Sequence, residues 1–456
     1  MAEKQKSVEN QGELKKVLSL PYLIFLALGG IFGTGIFSMS ASMIGLIGDA
    51  VWIPMVVTFF MALFDAFIYT EFGLTYPSMS TTFVYIKEGF GGKVGEAISW
   101  INSISMLFAG MLSSAMLAAS TGSYVISTVK LFLGVDLDPI WIVAAMMLFA
   151  YVLNYLGVTP AILVGDAMAA AQLLVVFFLI ILGIAFPTRA PDYFNSFSIG
   201  NFAMALSMAR FAYGGYATPI TYIEETKEPL KTIPKAVIGS VIITVIGYVG
   251  AVIAMVRMSP PSVIAFAPNP FVVATSSVLG GVATYFFALF GTIASLKGTI
   301  LGMGGRARFL AGMSREGFLP KPLGKISKRG IPSISLTLYF VILLIGNFFG
   351  GYMGSFVWLV RASSVVGCIT LLFVPIANIL HHVRKETRDM KRPWKQPFVL
   401  GKIPLCAIAV IIYALFILSN VQLSDLIPTI VSYVIGTILY VVWLLRREAS
   451  TKKVNQ

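Results

Sequence analysis

Twelve apolar segments, each close to the length needed to cross a bilayer, follow one another along this chain at short intervals. They fall near residues 20–44, 51–76, 97–127, 139–157, 164–187, 199–222, 234–258, 277–304, 331–350, 354–378, 402–419 and 427–446. A transmembrane helix needs about 20 largely apolar residues. Most of these segments are apolar around their whole circumference, as helices in lipid are. Inside hydrocarbon every backbone polar group must be satisfied internally, which favours helices, and no segment shows the alternation of a membrane β-barrel. The expected class is all-α integral membrane, with 12 transmembrane helices. Composition agrees: 57% of the 456 residues are hydrophobic and 12% are charged, against about 25% charged in soluble domains.

The formal net charge of +13 invites a nucleic-acid reading, and placement decides against it. With the N-terminus inside, the N-terminal tail, loops 77–96, 223–235, 305–330 and 379–402, and the C-terminal tail hold 27 of the 33 Lys and Arg residues. Basic residues accumulate on the cytoplasmic side of membrane proteins, so both termini are expected in the cytoplasm and the protein in the plasma membrane. Lys130, Arg189 and Arg257 fall on the other side, and Arg210, Lys297 and Arg361 lie within segments. The two longest basic loops lack interleaved stacking aromatics. Orientation and contact with the anionic lipid bilayer account for them, and no nucleic-acid partner is expected.

The first nineteen residues are polar, so no cleavable signal is expected and the first apolar helix acts as the insertion signal. Cys368 and Cys406 lie in or beside apolar runs and suggest neither a disulfide framework nor a metal site. His381 and His382 are adjacent and precede a basic run, which reads as a loop-surface pair. No metal, cofactor or catalytic group is expected.

Two segments carry breaks. The first contains Gly29, Gly30, Gly33 and Gly35 within seven residues, and the sixth contains Gly214-Gly215 followed by Pro219. Each glycine weakens a helix by about 1 kcal/mol relative to alanine, and proline removes a donor. Close helix packing explains either cluster alone. Their placement, in the first helix of two successive groups of five, points to a transporter site between inverted repeats. A half-helix N-terminus offers free N–H groups to an anion, and the carbonyls across the break suit an ammonium. The crowded glycines are no dinucleotide fingerprint, since no strand precedes them.

These features resemble the amino acid–polyamine–organocation transporters, whose fold is of the leucine-transporter type. The resemblance rests on the 29–37 break, YTEFGLTYP (69–77) with Glu71, EETKEPLKTIPKA (224–236), MSREGFLPKPLGKI (313–326) and KRPWKQPF (391–398), in the family's order. It implies a 5+5 inverted repeat with broken helices 1 and 6, plus helices 11 and 12. The divisions would be a cytoplasmic tail (1–19), two repeats (20–187 and 199–378), a basic cytoplasmic loop (379–401), helices 11 and 12 (402–446) and a second tail (447–456). Carried over, the substrate carboxylate meets amides around Thr34, Gly35 and Ile36. The amine meets carbonyls of Ile31, Phe211, Ala212 and Gly214. Tyr213 and Tyr216 border the side-chain pocket, with Phe211 as an aromatic lid.

The chain also departs from the family pattern. Where many members carry a helix-five lysine, an ungapped alignment from Gly157 puts Gln172, which is neutral and carries no proton. A lysine stands instead in helix eight, Lys297. A charge at span depth costs at least about 2.5–3.5 kcal/mol and defaults to a functional hypothesis. Lys297 either snorkels or pairs structurally, or its ammonium replaces the helix-five one, in which case it couples transport to H+. Asp65 and Asp166 stand where small or amide residues are usual and are further coupling candidates. With Glu71, Lys297, Arg210 and Arg361 they make three acids and three bases, which favours internal pairing. Arg210 suits either a salt bridge or an acidic substrate. Ser80-Thr81 replaces the usual Gly-Gly after helix two.

The expected function is secondary active transport of amino acids by alternating access, proton-coupled or exchanging, as a monomer or weak oligomer. A polyamine or cationic amino acid transporter, or a non-transporting membrane subunit, stays open. An enzyme is disfavoured, because neither H-E-x-x-H nor G-x-S-x-G occurs. A channel lacks a filter loop, and without a P-loop the chain has no direct ATP drive.

Overall fold

The computed structural model describes residues 16–32, 35–135, 138–265, 267, 269–353 and 356–454. The tail before Lys16 and Thr34 of the expected carboxylate site lie outside them. Helices cover parts of all twelve apolar segments. α1 (Leu20–Ile31) ends at Phe32, and a π turn (Gly35–Met39) leads into α2 (Ser40–Ile47). There follow α3 (Trp52–Thr75), α4 (Thr81–Phe90), α5 (Gly92–Leu133), α6 (Pro139–Leu156) and α7 (Val158–Ala185). α8 (Ile199–Ala212) breaks into a turn at 213–217 before the short α9 (Thr218–Thr221). Then come α10 (Pro229–Met258), α11 (Pro261–Ile264), α12 (Pro270–Leu279), α13 (Gly281–Arg315), α14 (Ser333–Met353) and α15 (Phe356–Val383). A hairpin of β1 (Val399–Leu400) and β2 (Ile403–Pro404) leads to α16 (Leu405–Leu418) and α17 (Leu423–Val454).

Among the described residues, six helices are by themselves long and apolar enough to cross a membrane. They are Ser40–Thr75, Thr159–Ala185, Pro229–Met258, Gly281–Arg315, Arg361–Val383 and Leu423–Arg447. Their outward faces carry large exposed apolar side chains, such as Leu174, Ile181 and Ile184 on α7 and Ile430, Val434 and Ile438 on α17. In water such faces would be costly; against lipid tails they are solvated. The chain is a predominantly helical membrane protein.

Helix starts follow local chemistry. Ser198 accepts the Asn201 N–H at 3.1 Å at the head of α8, and Asp138 accepts the Ile140 N–H at 2.9 Å at the head of α6. Pro139, Pro229, Pro261 and Pro270 each occupy a first helical position, where a missing N–H is harmless. α10 packs against α1, α3 and α7, while α3 also contacts α8. On the other side, α5 packs against α13, α14 and α15, and α13 against α6 and α7. The two breaks lie where these groups meet.

Three expectations need correction. The stretch 77–96 is not a plain loop: Thr81–Phe90 is helical, with Phe83, Tyr85 and Ile86 buried. Arg308, counted among loop charges, is buried on α13, where Nε donates to Glu225 Oε1 at 2.7 Å. His381 and His382 are not surface residues either. They end α15, both buried: His381 Nε2 lies 2.8 Å from the Tyr76 hydroxyl, and His382 meets Glu71 at the end of α3. His382 Nε2 lies 2.6 Å from Glu71 Oε1, Gln396 N–H donates to Glu71 Oε2 at 2.9 Å, and Gln396 Nε2 donates to Glu71 Oε1 at 3.0 Å. The basic loop is thereby fastened to the membrane-embedded helices.

Candidate functional site

The first break starts where α1, having run through Gly29 and Gly30, ends at Phe32. At its end the carbonyls have no partner within the helix, and the aligned peptide dipoles leave partial negative charge there. Lys297, fully buried on α13, meets this charge: Nζ donates to the Phe32 carbonyl and to Gln172 Oε1 on α7. Lys297 is expected to replace a helix-five lysine whose place Gln172 holds, and the structure brings Lys297 into contact with Gln172. Among the described residues no carboxylate lies within ion-pair distance of Lys297.

Tyr248 on α10 serves the neighbouring carbonyls. Its hydroxyl lies 2.6 Å from the Ile31 carbonyl and 3.0 Å from that of Ala212, the last residues of α1 and α8. A hydroxyl has one proton, so it donates to one of these at a time, and each carbonyl keeps a free lone pair. Nothing in the motif reading singled out Tyr248. The available signal was a tyrosine in mid-span, since its hydroxyl needs a partner when buried.

The second break makes its own bonds. Tyr213 N–H donates to the Ala209 carbonyl at 2.9 Å, and Gly214 N–H to the Phe211 carbonyl at 2.9 Å. At Gly215 (φ +119) a Cβ would lie 2.6 Å from the Gly30 carbonyl carbon and 2.8 Å from its oxygen. Glycine is required there twice, for its conformation and for the contact between the two broken helices. Tyr213 packs edge-on against Tyr248 at 5.1 Å and is not among the residues lining the cavity described next.

A cavity of about 410 Å³ opens beside the breaks. Gly30, Ile31, Phe211, Ala212, Gly214 and Tyr216 line it, as does Tyr69 on α3. Gly35 opens the π turn and Ile36 is buried beyond the break, neither in the cavity wall. Arg210 reaches the cavity too, but its guanidinium is ion-paired with Asp65, and Tyr216 Oη donates to Asp65 Oδ2 at 3.0 Å. Of the remaining charges within helices, Arg361 faces Asp425 on α17 at 3.5 Å. Asp166 is buried on α7 with neither carboxylate oxygen hydrogen-bonded.

On the basic-loop side, the strand leading into α1 is tied to the chain after α9. Val17 and Leu18 N–H each donate to the Glu225 carbonyl at 3.0 Å, and Lys227 N–H to that of Leu18 at 2.9 Å. Burial pushes the neighbouring Glu224 carboxyl above its ordinary range, opposed by Arg315 at 3.4 Å.

Comparison with known proteins addresses this arrangement directly. The family model described as amino acid permease matches residues 18–443. The branched-chain amino acid permease BcaP of Bacillus subtilis is 26% identical, covering 99% of this chain and 97% of that protein. BcaP of Lactococcus lactis is also 26% identical, over 95% of each chain. The human large neutral amino acids transporter small subunit 2 is 27% identical over 88% of this chain and 74% of its own length. The matched region takes in both breaks, Lys297 and the cavity, and it establishes that the chain belongs to the amino acid permease family, as a multi-pass membrane transporter of amino acids and not an enzyme.

Proposed function

We propose that this chain is a secondary active transporter that moves neutral amino acids by alternating access and binds the coupling proton at Lys297. The observation that carries the reading is the Lys297 ammonium held between the broken end of α1 and Gln172. Lysine, unlike arginine, exchanges its proton in a protein interior. Protonated, it ties α13 to the end of α1; without the proton it loses much of its attraction for that helix end. Proton binding thereby changes how firmly the first break is held, which is what coupling requires. Asp166 on the same α7 is a second group able to hold a proton, whereas Asp65 serves to neutralise Arg210.

In this reading twelve helices span the plasma membrane with both termini in the cytoplasm. Residues 20–187 and 199–378 form two five-helix repeats of opposite orientation, joined by loop 379–401 to α16 and α17, and tails 1–19 and 447–456 flank them. The group containing α1, α3, α8 and α10 rocks against the rest. Main-chain groups hold the substrate: amides near Thr34, Gly35 and Ile36 take its carboxylate, and carbonyls of Ile31, Phe211, Ala212 and Gly214 take its ammonium. Tyr216 and Phe211 border its side chain. The relatives' names point to branched-chain and large neutral amino acids. An Arg210 already neutralised by Asp65 supports a substrate side chain without charge.

The test uses purified protein in proteoliposomes loaded with leucine. Wild type should accumulate leucine when a proton gradient is imposed. Lys297→Gln should lose this accumulation and its pH dependence while retaining leucine counterflow. Unchanged pH dependence in that variant would sink the coupling role and leave exchange as the mechanism.

A further inference from the structure

Among the described residues, the cavity wall carries two charged side chains, Arg210 and Arg306. Arg210 is neutralised by Asp65. The Arg306 side chain, half-buried on α13, makes neither a hydrogen bond nor an ion pair among the described residues. Its positive charge acts on the hydroxyls of Tyr69 and Tyr339, which also line the cavity. The Tyr69 hydroxyl is buried next to Thr82 without meeting the geometry of any hydrogen bond. The wall therefore presents a guanidinium without a counter-ion and a neighbouring O–H donor without an acceptor. A buried donor left unmatched is costly, and the missing chemistry is that of an anionic acceptor.

Position along the fold shows what such an acceptor does. Nine residues of helix separate Arg306 from Lys297, about 13 Å at the helical rise. Arg306 lies toward the end of α13 that leads into the basic segment 315–329. The amides near Gly35 and Ile36 that take the carboxylate at the breaks lie outside this cavity wall, whereas Arg306 lies in it, so a carboxylate met by Arg306 is held at a different place. We propose that Arg306 and the Tyr69 hydroxyl form a second carboxylate-binding station between the breaks and the basic-loop face. There the α-carboxylate of an amino acid is held on its way to or from the main-chain site. The inference rests on the transport reading above, but not on Lys297 as the coupling group. Guanidinium and carboxylate pair in two parallel hydrogen bonds, so the station distinguishes amino acids from the amines that lack the carboxylate.

Sidedness provides the test. Leucine counterflow is measured in proteoliposomes of defined orientation, from each face in turn, with isoamylamine as a competitor that lacks the carboxylate. Arg306→Gln should raise the leucine KM at the basic-loop face by about tenfold, a size typical of losing one charged hydrogen-bond partner, and leave the opposite face within twofold. It should also reduce the preference for leucine over isoamylamine at the basic-loop face alone. Arg306→Lys should recover part of the loss, and Tyr69→Phe should show a smaller change of the same sidedness. Equal KM changes at both faces, or none at either, would overturn the station. Absence of leucine counterflow in the wild type would instead overturn the substrate reading, so the two failures are distinguishable.

Discussion

The two helix breaks arise from the same glycine-rich chemistry and are finished in different ways. At the first, the end of α1 relies on groups from elsewhere, Lys297 on the Phe32 carbonyl and Tyr248 on that of Ile31. At the second, Tyr213 and Gly214 return hydrogen bonds to their own helix, and the adjacent Arg210 has a carboxylate partner in Asp65. Tyr248 is shared between them; beyond it, and among the described residues, one break is held by a charge with no acid within ion-pair distance, the other by neutral bonds and a compensated pair. A group that must gain and lose a proton belongs at the first kind of site. The second, already satisfied, is suited to move with the first as a preformed unit.

The hardest test of this comparison is at the contact between the breaks. Gly215→Ala places a methyl against the Gly30 carbonyl and forces an alanine into a left-handed conformation. The conformation alone costs of order 1–3 kcal/mol, and the clash adds to it. Leucine uptake should fall to background. Gly214→Ala, whose added Cβ would lie 3.0 Å from the Phe211 carbonyl oxygen, should retain partial uptake. Equal activity in the two would mean that the breaks do not work as one unit.

The balanced charge at the second break gives the next largest effect. Arg210→Met leaves Asp65 buried without its counter-ion, a change that costs about 3–5 kcal/mol in buried pairs. Melting in detergent should show that loss, and the double variant Asp65→Leu/Arg210→Met should recover most of it. If the double variant also transports leucine, the pair is structural. Loss of uptake with stability restored would give Arg210 a direct part in binding.

Tyr248→Phe separates the two kinds of stitching at the first break. It removes one hydroxyl from two helix-end carbonyls, worth about 1–3 kcal/mol when a buried acceptor is left unmet. Melting temperature should drop while the pH dependence of uptake stays that of the wild type. A changed pH profile in Tyr248→Phe would show that Lys297 does not act alone.

Much of this arrangement was legible in the chain, because lipid allows few solutions. Apolar length marked the helices, and glycine with proline marked the two places where a helix stops. Lys297 stood out because a charge at that depth needs a reason. What escaped were groups whose partners are distant in sequence. Tyr248 is 217 residues from Ile31, and nothing near it announces a helix end. The histidine pair misled for the same reason: beside a basic run it looks exposed, yet Glu71, more than 300 residues earlier, draws His382 into the interior. Arg306 was counted as one loop charge among seven, since sequence does not show which cations lack a partner.

The smallest expected effect concerns the rim of the cavity, at Ser80-Thr81. Thr81 lines the cavity and has φ +23, a conformation that β-branched residues rarely adopt. Thr81→Gly relieves that strain and also gives the unfolded chain more freedom, so the two terms partly cancel. A net gain of up to about 1 kcal/mol is expected, seen as a rise in melting temperature. Strain at this corner matters to the comparison because α4 follows it directly and packs on α5 and α15, which are not the helices that carry the breaks. If Thr81→Gly stabilises the protein and slows leucine counterflow, the strained corner helps to drive the exchange between states. If it stabilises the protein with counterflow unchanged, motion is confined to the helices that carry the breaks.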